Sequence, residues 1–271
     1  MIAEAMEIKT FSDLLKTLQV DANGVTLELT PDWLQGRTAY GGWQAALAVL
    51  AMRQLLGPEI PLRSLQSNFV GPISVGKITA RAELLRRGKS AAQIEARILV
   101  DGQTAFTAVG IFGAPRVSQL SLAPKAPPAN KALAMLEPRP YIDGVMPVFL
   151  KHFDTRWAMG GYPFSGAAHS AAQIYARLRD EEIVSETHLV MIGDVIPPSA
   201  IALFNSPIML SSMNWTLELV TPLDAETRAG WLRFDSELTA ANDGYGWENT
   251  SIWSSKGELV ALSRQCVALF G

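Results

Sequence analysis

One cysteine, Cys266, and three histidines, His152, His169 and His188, are all that 271 residues offer to thiol or imidazole chemistry. A lone cysteine excludes an internal disulfide framework, and no CxxC pair is present to hold a metal. No two histidines are spaced like zinc ligands on a helix. Apolar runs are short, well under the roughly 18 residues that mark a membrane-spanning helix. Positive charge is not clustered: 23 basic and 26 acidic residues leave a net charge of −3. A nucleic-acid surface would need clustered positive charge, so that partner class is excluded. Residues 1–20 lack a secretory h-region, because Glu4, Glu7 and Asp13 interrupt it. Phe11, Leu14, Leu15 and Leu18 recur there at helical spacing and predict a short amphipathic helix. The expectation is a soluble, cytoplasmic protein that needs no metal or cofactor and works away from membranes.

What the chain has is apolar bulk, 48% hydrophobic residues, and a layout used twice. Val25–Leu29 alternates as a half-buried strand. Gly36, Gly41 and Gly42 mark a loop. Trp43–Leu56 is rich in Ala and Leu on most sides, which predicts a buried helix stopped by Gly57-Pro58. Strands follow at Leu62–Val70, Ile78–Leu85, Ala91–Val100 and Thr104–Phe112. Arg86-Arg87-Gly88-Lys89 and Asp101-Gly102 read as hairpin turns. Pro115–Pro147 is proline-rich and reads as a linker over the surface.

The order then recurs. Val148–Trp157 reads as a strand, Met159–His169 as a glycine-rich loop and Ala172–Leu178 as a strand. Ser185–Ile196 predicts a second apolar helix, with Ser185 as N-cap, ending at Pro197-Pro198. Strands follow at Met209–Val220, Ala229–Ala240, Tyr245–Trp253 and Glu258–Phe270, with turns at Asn242-Asp243-Gly244 and Ser255-Lys256-Gly257. Consecutive hairpins imply antiparallel pairing, and each sheet must cover its apolar helix. The expected fold is therefore α+β, a double hotdog: two tandem curved antiparallel sheets, each wrapped round one long helix. Its parts are an N-terminal unit at 1–114, a linker at 115–147 and a C-terminal unit at 148–271.

Three stretches carry a resemblance to a known family. They are Tyr40-Gly41-Gly42 at the first helix start, Ile192-Gly193-Asp194 with the strand Ile208–Asn214 after it, and Gly257–Ala261 leading into Gln265. In this order and spacing they resemble the acyl-CoA thioesterase II family, which is built as a double hotdog. The resemblance implies an acyl-CoA substrate and hydrolysis to free acid and coenzyme A. It places the family's Asp, Thr and Gln, which orient the attacking water, on Asp194, Ser212 and Gln265. Ser212 keeps the hydroxyl of the family's Thr. Asn214-Trp215 stands where the family often reads Asp-His.

The residues themselves bear on these roles. Asp194 shares a helical face with Val190 and Met191 and lies near a helix C-terminus. Burial and the helix dipole both favour its protonated form, which suits a general base. It could equally cap a local turn. Ser212 alternates with Asn214, Thr216 and Glu218, a polar face that is either solvent-facing or part of a site. No Gly-x-Ser-x-Gly elbow surrounds it, so it does not read as a nucleophile. Gln265 can donate to and accept from a water, or be an ordinary edge-strand glutamine. Tyr40, Gly41 and Gly42 are the expected substrate-binding segment, its N–H groups facing the thioester carbonyl, or simply a flexible helix entry. Arg86, Arg87 and Lys89 fit coenzyme A phosphates or a solvated hairpin tip. Cys266 points away from Gln265 and reads as a small core residue, and the histidines read as structural.

Two other functions stay open: a non-catalytic acyl-thioester binding protein, and an enoyl-thioester hydratase. The hydratase chemistry wants a His beside the helix Asp, which neither helix supplies. A homodimer or higher homo-oligomer is expected from two-fold association of such units.

Overall fold

A computed structural model describes residues 7–180, 182, 186–221 and 230–271. The chain opens with α1 (Phe11–Leu15), whose N-cap Thr10 accepts the Asp13 N–H. Strands β1 (Gln19–Asp21), β2 (Gly24–Leu29), β3 (Leu34–Gln35) and β4 (Thr38–Ala39) lead into α2 (Gly41–Leu55). Four longer strands follow: β5 (Leu62–Phe69), β6 (Gly76–Arg87), β7 (Ala91–Val100) and β8 (Gln103–Gly113). The second half holds β9 (Phe153–Met159), β10 (Ala172–Leu178), α3 (Glu186–Ile192) and β11 (Met209–Leu219). It ends with β12 (Leu232–Asn242), β13 (Tyr245–Trp253) and β14 (Leu259–Phe270).

The repeated layout closes into one sheet rather than the two expected. Twelve strands run β1-β2-β6-β7-β8-β5-β11-β14-β13-β12-β10-β9, and every neighbouring pair is antiparallel. The order β2-β6-β7-β8-β5 is mirrored by β10-β12-β13-β14-β11. The halves meet at β5 and β11, where Ser64–Asn68 pair with 214–218. Each half would otherwise end in an open strand edge, and joining them satisfies those backbone groups. Two hairpins place Asp101-Gly102 and Asp243-Gly244 at positive φ on both residues (51° and 77°, 50° and 79°). Primed turns require this, and it is why Gly occupies the second position in both.

Helix α2 is buried on nearly all sides, from Gly41 through Met52, and packs on β6, β7, β8 and α3. Its composition explains this: Ala45, Ala46, Ala48 and Ala51 let the sheet come close, while Trp43, Leu47 and Met52 fill the core. Arg53, near its C-terminus, is paired with Glu186 at the start of α3. The second helix is not long. Among the described residues α3 stops at Ile192, four residues short of the expected end, and Gly193-Asp194 form a turn. Gly193 weakens the helix, and Val195, Ile196 and two prolines do not restart it. The expected N-cap, Ser185, lies outside the described residues, as does Ala229 at the expected start of β12.

Three further expectations are corrected. Residues Val148–His152 form a 3-10 turn, and the strand starts only at Phe153. Pro147 fixes the entry to that turn, and Phe149 is buried by stacking on Tyr40. Cys266 does not belong to the core: it lies on the sheet face opposite Gln265 and is half-buried. Gln265 is not on an edge, because β14 runs between β11 and β13. Residues 114–147 form no strand beyond an isolated bridge of Lys125 with Glu258. No helix among the described residues is long and apolar enough to cross a membrane.

Gly42 sets the approach of the two helices. A Cβ there would collide with the Met191 carbonyl oxygen and crowd the Tyr40 ring. Gly42→Ala should therefore destabilise by about 1–3 kcal/mol or more, the usual range for overpacking. A denaturant melt checks this, and an unchanged midpoint would show that the helices can separate at no cost.

Candidate active site

Asp194 lies in the turn that ends α3, against the N-terminus of α2. Two helix ends with opposite dipoles thus face one carboxyl group. The C-terminus of α3 disfavours its charge and the N-terminus of α2 favours it. Only the first is legible in the sequence. The approach is close: a Cβ on Gly41 would collide with Asp194 Oδ2 and press on the Phe69 ring. Asp194 keeps slight solvent access, yet protein surrounds it, and this burial pushes its pKa up to about 7. The nearby charge of Glu248 adds to the rise, while the Gly42 N–H and the Gln265 amide hold it back.

Ser212 reaches the same place through a β-bulge. Ser212 pairs with Val267 and Asn214 pairs with Cys266, so Met213 has no partner across the ladder. The extra residue shifts the alternation by one. Beyond it, Asn214 and Glu218 are exposed while Trp215 and Leu217 are buried. Before it, Ser212 shares the inward face with Trp215, Gln265 and Val267. The expected face, Ser212 with Asn214, Thr216 and Glu218, is therefore broken at Met213. Uninterrupted alternation would have pointed Ser212 outward.

Gln265 joins the pieces. Its Nε2 donates to Ser212 Oγ at 2.8 Å and to Asp194 Oδ1 at 3.4 Å. Trp215, beside Gln265 in the register, is buried and donates from Nε1 to Ser263 Oγ at 2.8 Å. Its ring lies under Gly193, the residue before Asp194. The Asn214-Trp215 departure thus supplies packing beneath the turn that carries the acid.

The Tyr40-Gly41-Gly42 segment touches this group, but not through a free phenol. Tyr40 is fully buried, stacks on Phe149 at 4.0 Å and donates to the Met191 carbonyl at 2.6 Å. Burial and the Asp194 charge push its pKa well above the ordinary phenol value. The Gly42 N–H is directed at Asp194. Arg86, Arg87 and Lys89 are exposed at the β6–β7 hairpin. His152 Nε2 lies 3.0 Å from Asp32, and His188 Nε2 lies 3.8 Å from Asp180, both in buried pairs, while His169 is exposed.

One residue escaped the sequence reading. Glu248 on β13 is buried, pairs across the ladder with Gln265 and accepts the Ser199 N–H at 2.6 Å. Burial pushes its pKa up to about 7. Period-two alternation carried the signal, because Glu248 falls in phase with inward Gly246, Thr250 and Ile252.

Residues 29–113 match the acyl-CoA thioesterase N-terminal domain family, and residues 124–269 match the acyl-CoA thioesterase C-terminal domain family. The chain belongs to the acyl-CoA thioesterase II family. It has the hot dog fold. A hot dog protein of unknown function from Alicyclobacillus acidocaldarius superposes with a TM-score of 0.81 at 19% identity, covering 97% of this chain and 99% of that one. A tesB protein from Mycobacterium avium subsp. paratuberculosis gives 0.78 at 15% identity, covering 97% and 100%. The acyl-CoA thioesterase II TesB2 of Mycobacterium marinum gives 0.72 at 19%, covering 94% and 96%. No curated protein matches the chain. Among the described residues of this thioesterase family member, no three His, Cys, Asp or Glu side chains converge as metal ligands.

The raised Asp194 pKa has a consequence for stability. Between pH 3.8, the ordinary value, and about 7, the folded chain keeps a proton that the unfolded chain has lost. Stability from this group is thus complete below the ordinary value and is lost as pH rises towards 7. Asp194→Asn removes that dependence. Relative to the parent, the variant should gain roughly 2–4 kcal/mol at pH 8 over pH 4, since a rise of about three pH units corresponds to about 4 kcal/mol. Denaturant melts at both pH values check this, and parallel curves would contradict it.

Proposed function

We propose that this chain hydrolyses acyl-CoA thioesters to the free carboxylic acid and coenzyme A. The observation that carries this reading is the Gln265 amide, which donates to both the Ser212 hydroxyl and the Asp194 carboxyl. With its amide protons so directed, Gln265 fixes the two groups rather than removing a proton itself. Ser212 Oγ accepts from Gln265, so its own proton is left to donate to a water or to the thioester oxygen. Ionised Asp194 takes a proton from the water as the water oxygen attacks the carbonyl carbon. The tetrahedral intermediate then collapses, the carbon–sulfur bond breaks and the departing thiolate takes a proton from Asp194. The start of α2 at Gly41 is the candidate donor to the oxyanion.

The reading assigns unequal roles to the units at 1–114 and 148–271, joined by 115–147. The second contributes Asp194, Ser212 and Gln265. The first contributes the helix start that holds the acid. An enoyl-thioester hydratase is disfavoured because His152 and His188 are buried against Asp32 and Asp180.

A panel of acyl-CoAs of increasing chain length, with thiol release measured, tests the proposal. The parent should release thiol, with kcat/KM rising with pH through about 7, where Asp194 loses its proton. Asp194→Asn should lower kcat by about 10²–10⁴-fold. Gln265→Ala should lower it by about 10²-fold, and Ser212→Thr should retain activity. Binding of acyl-CoA without release at any chain length would replace the enzyme with a binding module.

A further inference from the structure

Glu248 is a carboxyl that stability alone does not explain. It is 4% exposed, and burying a charge without a partner of opposite sign is costly. The ion pairs of the described residues all lie elsewhere in the molecule. What meets Glu248 is a set of hydrogen-bond donors. The Ser199 N–H donates to its Oε2 at 2.6 Å. Thr250 Oγ1 donates to Ser236 Oγ at 2.9 Å, and Ser236 Oγ lies 2.7 Å from Ser199 Oγ. With Thr250 as donor, Ser236 is left to donate to Ser199, and the Ser199 hydroxyl to donate to Glu248. Ser199 thus meets the carboxyl with its N–H and its hydroxyl, and the Ser236 and Thr250 hydroxyls stand behind it in a chain.

That carboxylate stands behind the proposed site. Glu248 is the cross-strand partner of Gln265, and Gln265 reaches Asp194 at 3.4 Å. The groups facing Asp194 are Glu248 from β13, Gln265 from β14, the Gly42 N–H from α2 and the neutral phenol of Tyr40. Glu248 is the one other carboxyl among them. Two carboxyls in one dry region titrate as a pair, and ionising one makes the second ionisation harder.

We propose that Glu248 is a positioning residue for the hydrolysis, whose carboxylate sets how readily Asp194 takes and releases the proton of the attacking water. The inference rests on the thioesterase reading above. By its charge Glu248 makes Asp194 a stronger base, and by its contact with Ser199 it holds β13 behind Gln265.

The test compares the parent with Glu248→Gln and Glu248→Asp, using kcat/KM against pH and a ¹³C carboxyl titration of Asp194 assigned by Asp194→Asn. In Glu248→Gln both midpoints should fall by roughly one pH unit, and the plateau rate should drop by about tenfold as the base weakens. Glu248→Asp should restore the parent midpoint. Ser199→Ala, which leaves the backbone donor and removes one hydroxyl from Glu248, should move the midpoint in the same direction and serves if Glu248→Gln does not fold. Unmoved midpoints in these variants, with only a lower melting temperature, would reduce Glu248 to a structural role. A parent that releases no thiol would sink the thioesterase reading alone, since the ¹³C titration still reports the coupling.

Discussion

Gly41 and Gly42 bring the N-terminus of α2 against the end of α3 with no space for a side chain between them. Much else depends on that approach. It lets the Tyr40 hydroxyl reach the Met191 carbonyl, one of the orphan acceptors at the end of α3. It sets the Asp194 carboxyl before the Gly42 N–H, which favours a charge that burial disfavours. The helix contact and the acid are therefore one feature. A change that widened the contact would loosen the fold and also remove the donor that lets Asp194 ionise near neutral pH.

The second constraint is the unpaired Met213. Antiparallel pairing fixes which face each residue takes, and one extra residue reverses the choice for everything before it. The reversal brings the Ser212 hydroxyl to the face that carries Gln265, while Trp215 and Leu217 stay in the core. One face of β11 thus carries both, its core stretch set by apolar residues and its site stretch by a local irregularity.

Much of the architecture was readable from the chain. The hairpins at Asp101-Gly102 and Asp243-Gly244, the apolar helix at 41–55 and the duplicated order of elements all follow from composition and periodicity. Three things did not. The joining of two sheets into one depends on pairing between Ser64–Asn68 and 214–218, far apart in sequence, where neither strand marks its partner. The early end of α3 at Ile192 depended on Gly193, which apolar continuity through Ile196 concealed. The inward turn of Ser212 depended on a bulge, which leaves no periodic trace because it breaks the period. At the site, Asp194, Ser212 and Gln265 were placed by resemblance, and their convergence needed the fold. Glu248 was legible from alternation alone, being in phase with Gly246, Thr250 and Ile252, but a single charged residue in an otherwise alternating strand attracts little notice.

The junction of β5 with β11 also bears on how the molecule reaches this state. Before the halves meet, each presents a strand with unpaired backbone groups, Ser64–Asn68 on one side and 214–218 on the other. Such an edge is a template for any other extended chain, including the same strand of a second molecule. Closing it brings together segments separated by more than half the sequence, a slow kind of contact to form. The acid and the helix end that tempers it come from opposite sides of that junction. The site is therefore complete only once that pairing has formed, and a chain stalled before it would lack the site and be adhesive.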